Sequence, residues 1–156
     1  NFTGKAVLAF LIKPQGPQST PPKSMEPAVN AEYGSYLAEA VSNCKSCHTQ
    51  RDMLTGEYAG TPFGGGMKIE ASTGEKGVFV VPPNITTDKN AGRLGLWDEQ
   101  KFVERFHQGV LIKETIMPWA SFNRYSDDDL RSIYRYLASL PPVNYDPGPM
   151  LVRETN

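Results

Sequence analysis

At 156 residues, 39% hydrophobic and 21% charged, the chain has material for one ordinary globular domain with a tail or two, and little more. Its formal net charge of −1 leaves no basic surplus and argues against nucleic acid as a partner. The only two cysteines both lie inside Cys44-Lys45-Ser46-Cys47-His48, which excludes a disulfide framework unless they pair with each other.

Residues 1–29 read as a linker. Pro14, Pro17, Pro21, Pro22 and Pro27 fall within fourteen residues among Gln, Ser, Thr and Lys, which favours an extended segment. Residues 5–13 have the composition of a short helix. Two readings stay open: the stump of a membrane anchor tethered by the Pro-rich run, or the last helix of an upstream domain. The apolar run 6–12 is too short for a membrane span and no signal peptide is visible. Because Asn1 is not an initiator methionine, a mature or trimmed product is expected, and a missing N-terminal segment is a candidate membrane tether.

From Asn30, a plausible N-cap, the pattern turns helical. Tyr33, Tyr36, Leu37, Ala40, Val41 and Cys44 share one face at i, i+3, i+4 spacing, which predicts a helix running into the cysteine motif. A glycine-rich loop, 56–66, follows. A hairpin is predicted next: Met67, Ile69 and Ala71 alternate with polar neighbours, residues 78–81 are β-branched and aromatic, and residues 73–77 make the turn. After Pro82-Pro83-Asn84, a polar loop reaches Trp97. Asp98 caps a second predicted helix that buries Phe102, Val103 and Phe106 and stops at Gly109. Ser126, with Asp129 three residues on, resembles a capping box for a third, whose apolar stripe is Leu130, Ile133, Tyr134 and Leu137. Pro141-Pro142 ends it, and a mobile tail is expected after Val143. The expected division is linker 1–29, core domain 30–143 and tail 144–156.

Cys-x-x-Cys-His places two thiols one helical turn apart with an imidazole beside the second. That is what thioether attachment to two haem vinyl groups and ligation of the iron require, so one covalent haem c is expected on Cys44 and Cys47, with His48 on the iron. A zinc site would need two further ligands, and the one other histidine is His107. A redox cysteine pair usually follows a strand, whereas this motif follows a helix. Thioether attachment takes place outside the cytoplasm, so the chain is expected to be exported.

Candidates for the sixth ligand are Met25, Met53, Met67, Met117, Met150 and His107. Met25 lies in the linker and Met150 in the tail. Met53 is too near His48 to reach the opposite haem face without a tight reversal. Met117 precedes a stiffening proline in the irregular segment between the second and third helices, and it is the preferred ligand. Met67 on the hairpin and His107 late in a helix remain as alternatives. His/Met ligation fills both axial positions and raises the reduction potential, which implies electron transfer and no chemistry on small substrates.

The attachment motif, Met117-Pro118 and the flanking helices, with Gly34 near the first and Tyr134 and Leu137 on the last, resemble the class I cytochrome c family over about 30–143. Pro83-Asn84-Ile85-Thr86-Thr87-Asp88, Trp97 with Phe102 five residues on, and Met117-Pro118-Trp119 are most similar to haem domains of bacterial membrane-bound dehydrogenase cytochrome subunits. Such subunits often carry two or three haems, whereas this chain has one attachment motif. The resemblance implies an all-α cytochrome c fold, three or more helices around one haem, here with a small β-hairpin insertion. Its first and last helices cross closely, where Gly34 permits the approach. It implies a periplasmic electron carrier, soluble or anchored, with redox proteins as donor and acceptor.

Around the iron, His48 is expected to donate its free N–H to a carbonyl of Pro82 or Pro83. Asn84, Trp97 and Trp119 are candidate donors to the haem propionates, with core packing the equal alternative for both tryptophans. Asp127, Asp128 and Asp129 read as the charged first turn of a helix. Lys45, Arg51, Lys68 and Lys113 either frame an exposed haem edge or are scattered surface cations. Two other functions compete with the carrier: a haem-bearing electron-exit subunit of a larger dehydrogenase or oxidase, and a gas sensor with an open iron site.

Overall fold

The computed structural model describes residues 25–154, so the expected anchor or helix at 5–13 and most of the linker lie outside the described residues. The described chain is mostly helical and carries a small three-stranded antiparallel sheet.

Helix α1 covers Ala31–Ser35, and Asn30 caps it by accepting the Tyr33 amide at 2.8 Å. It continues as a π-helical stretch, Tyr36–Val41, closed by the Ser42 N–H to Leu37 carbonyl bond. Helix α2 is the single turn Cys44–Cys47. Helix α3 (Glu99–His107) starts on Asp98, whose side chain accepts the Lys101 amide. It ends before Gly109, which takes the left-handed φ of +67° that a helix stop favours. Helix α4 (Trp119–Phe122) is a single turn that the sequence pattern does not predict. Helix α5 (Asp127–Ser139) begins with both halves of the Ser126–Asp129 capping box in place.

The main core is made by α1, α3 and α5. Leu130, Ile133 and Leu137 of α5 are at most 2% exposed, each contributing roughly 1.5–3 kcal/mol by burial. They meet Leu37, Phe63, Leu94, Phe102, Phe106, Trp119 and Phe122 in one cluster. Gly34 lets α1 lie directly on α5, since a Cβ there would stand 1.8 Å from the Ser132 carbonyl oxygen. Ion pairs from Glu99 to Arg135 (2.9 Å) and Arg131 (3.7 Å) tie α3 to α5 along the surface.

The hairpin joins β1 (Ile69–Glu70) to β2 (Val78–Val80), with Ile69 opposite Val80 and Glu70 opposite Phe79. The sheet then departs from expectation. Instead of a free tail, Leu151–Arg153 forms β3 and pairs with β2, Val80 facing Leu151. Ala71, Val78 and Val80 with Leu151 make a second, small apolar core. Residues 143–150 are also fastened. Asn84 donates to the carbonyls of Val143 (2.7 Å) and Tyr145 (3.0 Å), and the Val81 amide donates to Met150 (2.9 Å). The hairpin is thus part of a sheet completed by residues expected to be unstructured. Among the described residues no helix is long and apolar enough to cross a membrane.

Candidate functional site

Helix α1 breaks at Asn43, a residue type that tolerates the left-handed φ of +51° found there. The break turns the chain into α2, which carries Cys44 and Cys47 one turn apart. His48 caps it through its amide to the Cys44 carbonyl at 3.0 Å. Cys44 borders the main core. Burial pushes its thiol pKa up to about 11, and burial also raises Cys47, with Arg51 opposing. Both therefore stay S–H at neutral pH. Zinc ligation and disulfide exchange need the thiolate. Addition across a vinyl group instead joins sulfur to one carbon and places the hydrogen on the other. Among the described residues no cluster of three or more His, Cys, Asp or Glu converges to hold a metal ion.

His48 Nδ1 lies 2.8 Å from the Pro83 carbonyl oxygen. A carbonyl only accepts, so Nδ1 carries the proton and the Nε2 lone pair is free in the neutral ring. Burial holds the imidazole pKa below its ordinary value, against an opposing push from the Pro83 carbonyl. The ring is thus neutral and oriented, as an iron ligand needs.

The Pro83 carbonyl is itself seated on a glycine. Gly65 has φ +74° and donates its amide to the His48 carbonyl at 2.8 Å, while the Gly66 amide donates to the Pro82 carbonyl at 3.0 Å. A Cβ on Gly65 would come within 2.5 Å of the Pro82 oxygen and the Pro83 carbonyl carbon. Thr49 is fully buried beside this loop, its hydroxyl accepting the Phe63 amide at 3.1 Å. Sequence reasoning did not single out Thr49 or Gly65; a run of three glycines was the one signal available for the latter.

Met117 packs against the same core cluster that Cys44 borders. Its amide donates to the Thr115 hydroxyl at 3.2 Å, and its carbonyl accepts the Trp119 amide at 2.8 Å. The other candidates are elsewhere. Met53 is 80% exposed. Met67 is half-buried and outside that cluster, and Met150 sulfur sits 3.4 Å from an Arg93 nitrogen. His107 is exposed, with Nε2 2.9 Å from Asp127 Oδ1.

Several expected roles change. Both Nδ2 protons of Asn84 go to Val143 and Tyr145, and its Oδ1 accepts from the Thr86 amide (2.9 Å) and hydroxyl (2.8 Å). Both side-chain protons of Asn84 are therefore spent on stitching loops together. Trp119 lies in the core, edge-on to Phe106 at 5.5 Å and beneath the Arg105 guanidinium at 3.8 Å. Trp97 packs against that core half-buried, and its carbonyl accepts the Tyr134 hydroxyl at 3.1 Å. Arg51 bonds Ser46, Gly56 and Tyr58 and stacks on the Tyr58 ring at 4.3 Å, clamping the 52–58 loop. Lys68 pairs with Glu154 and covers Phe79. Lys45 lies 5.3 Å from the Tyr58 ring, nearest the cysteines.

Two half-buried S–H groups, a neutral imidazole with a free Nε2, and a thioether on the border of the core that Cys44 also borders form a donor set that fits a covalently attached haem. No family model matches the chain. The chain is 28% identical over 153 residues to the cytochrome c subunit of a quinone alcohol dehydrogenase from Gluconacetobacter polyoxogenes, a match covering 89% of this chain and 31% of that protein. It is 28% identical over 139 residues to the fructose dehydrogenase cytochrome subunit of Gluconobacter japonicus, covering 85% and 26%. Over 128 residues it is 30% identical to the gluconate 2-dehydrogenase cytochrome c subunit of Pantoea cypripedii, covering 76% and 29%. The chain thus spans about a third of the length of these relatives or less.

Proposed function

We propose that this chain, a relative of the cytochrome c subunits of alcohol, fructose and gluconate dehydrogenases, carries one haem c and transfers single electrons. The observation that carries the proposal is the neutral His48 ring held at 2.8 Å by the Pro83 carbonyl, directly after two half-buried thiols one helical turn apart. When bound, the haem supplies a one-electron couple at its iron.

This chain's own residues do the rest. Cys44 and Cys47 would hold the group through two thioether bonds, each formed by adding S–H across a vinyl group. Pro83 orients His48 and, by drawing on the Nδ1 proton, makes Nε2 a stronger donor. Met117 presents a thioether from the loop after α3, and its weak donation favours the reduced state. His48 and Met117 together would hold the iron and leave no vacancy for a gas or peroxide. In this reading α1, α3 and α5 form the cytochrome c arrangement over residues 30–143, with the sheet added to it.

The redox proteins on either side are a dehydrogenase's catalytic subunit as donor and an acceptor outside it, the role that the relatives' names suggest. The chain itself is not catalytic. A periplasmic location, soluble or anchored at the membrane, belongs to the same proposal. Acid–acetone treatment of the holoprotein is the direct test. Haem retained on the polypeptide, with a mass increase of one haem, is the expected result, whereas release of free haem overturns the assignment.

A further inference from the structure

The loop that presents Met117 packs on the helical core at Met117 itself and is fastened to the sheet three residues earlier. Ser72, the residue after Ala71 of the small core, donates its amide to the Glu114 carbonyl at 3.0 Å, and its hydroxyl donates to the Lys113 carbonyl at 3.2 Å. Glu114 is buried at 5% exposure, and its Oε1 accepts from Arg153 Nη2 at 3.0 Å. Arg153 stands on β3, and its other terminal nitrogen bonds Glu75 at the hairpin turn, also at 3.0 Å. One guanidinium therefore joins all three parts: the turn, the last strand and the loop three residues before Met117.

A buried carboxylate whose sole ion-pair partner among the described residues is removed is left with an uncompensated charge. The loop would then leave its position to hydrate Glu114, taking Met117 with it. We propose that Arg153 and Glu114 are positioning residues, and that the sheet braces the Met117 loop and so sets how readily its thioether leaves the iron. This rests on the reading of Met117 as the sixth ligand.

The test compares the holoprotein with Arg153→Met and Arg153→Lys, using Lys68→Met as a control that alters the same sheet away from the loop. Amide exchange at Ser72, Thr115 and Met117 reads the brace, referred to Leu130, Ile133 and Leu137 of α5, which report global opening. Exchange at the first three should rise at least about tenfold in Arg153→Met, return most of the way in Arg153→Lys, and stay at the parent value in Lys68→Met. In parallel, the near-infrared sulfur-to-iron band of the oxidised Arg153→Met protein should weaken, and imidazole should enter faster.

Parent-like exchange in Arg153→Met overturns the brace. Faster exchange with an unchanged band and unchanged imidazole entry overturns its link to the iron. A parent protein without the band instead refutes Met117 as ligand, and the exchange experiment still decides the brace.

Discussion

A β-carbon on Gly65 would lie 2.5 Å from the carbonyl carbon of Pro83, the residue whose oxygen holds the His48 ring. Gly65→Ala must therefore move the 82–84 segment and also adopt φ +74°, a left-handed conformation that non-glycine residues disfavour. A loss of roughly 2–4 kcal/mol is expected from the two effects together. Urea denaturation reads the loss, and the chemical shift of the His48 Nδ1 proton reads the displacement. Parent-like values of both would refute this account of the loop.

Met117→Ala and Met67→Ala should behave differently. The first is expected to abolish the sulfur-to-iron band, open the iron to added ligands and lower the reduction potential, because a thioether favours the ferrous state. The second should keep the band and lose only packing, less than the roughly 2–5 kcal/mol of a fully buried methionine, because Met67 is half-buried. The opposite pattern would put the ligand on the hairpin.

The α1–α5 crossing makes a sharper stability prediction. Gly34→Ala gains helix propensity of roughly 1 kcal/mol, yet its methyl would stand 1.8 Å from the Ser132 carbonyl oxygen, which is backbone and cannot rotate away. Net destabilisation of roughly 1–3 kcal/mol is expected, visible as a lower thermal midpoint. A rise in that midpoint would mean that the helices separate freely.

Helix α3 and the start of α5 share a pH-dependent contact between His107 and Asp127, 2.9 Å apart. The hydrogen bond to Asp127 raises the His107 pKa. A raised folded-state pKa gives stability that is fully present below the unfolded value of about 6.5 and fades as pH rises through the folded one. His107→Gln should therefore lower stability at pH near 5.5 by roughly 0.2–1 kcal/mol, the range for exposed pairs, and much less at pH near 8.5. Equal losses at both pH values would show that the charge plays no part.

Local signals were the legible ones. Asn30, Asp98 and the Ser126–Asp129 pair act on amides three residues away, so a reader of the sequence can place them, and the structure has all three caps. The thiols and imidazole are equally local, spaced by a single helical turn. What escaped notice was long-range. β3 is three residues long, follows Pro147-Gly148-Pro149 and shows no alternation of its own; only its partner β2, some seventy positions earlier, makes it a strand. The partners of Asn84 were hidden for the same reason, because no spacing rule links an amide at 84 to carbonyls at 143 and 145. The π-helical stretch and the Asn43 break also hid behind a face periodic enough to suggest one unbroken helix.

That late strand bears on the order in which the molecule assembles. Pairing Val80 with Leu151, and Asn84 with Val143 and Tyr145, closes a loop of nearly the whole second half of the chain. Contacts of such high sequence separation form slowly, after the local helical turns. The turn carrying the thiols on α2 needs only local contacts, whereas the segment bearing the Pro83 carbonyl, already tied to Gly66 and Phe63, gains its remaining ties when residues 143–153 arrive. Assembly therefore has a built-in sequence: the turn bearing the two thiols forms early, while the segment that orients the His48 ring is locked more firmly as the chain closes upon itself.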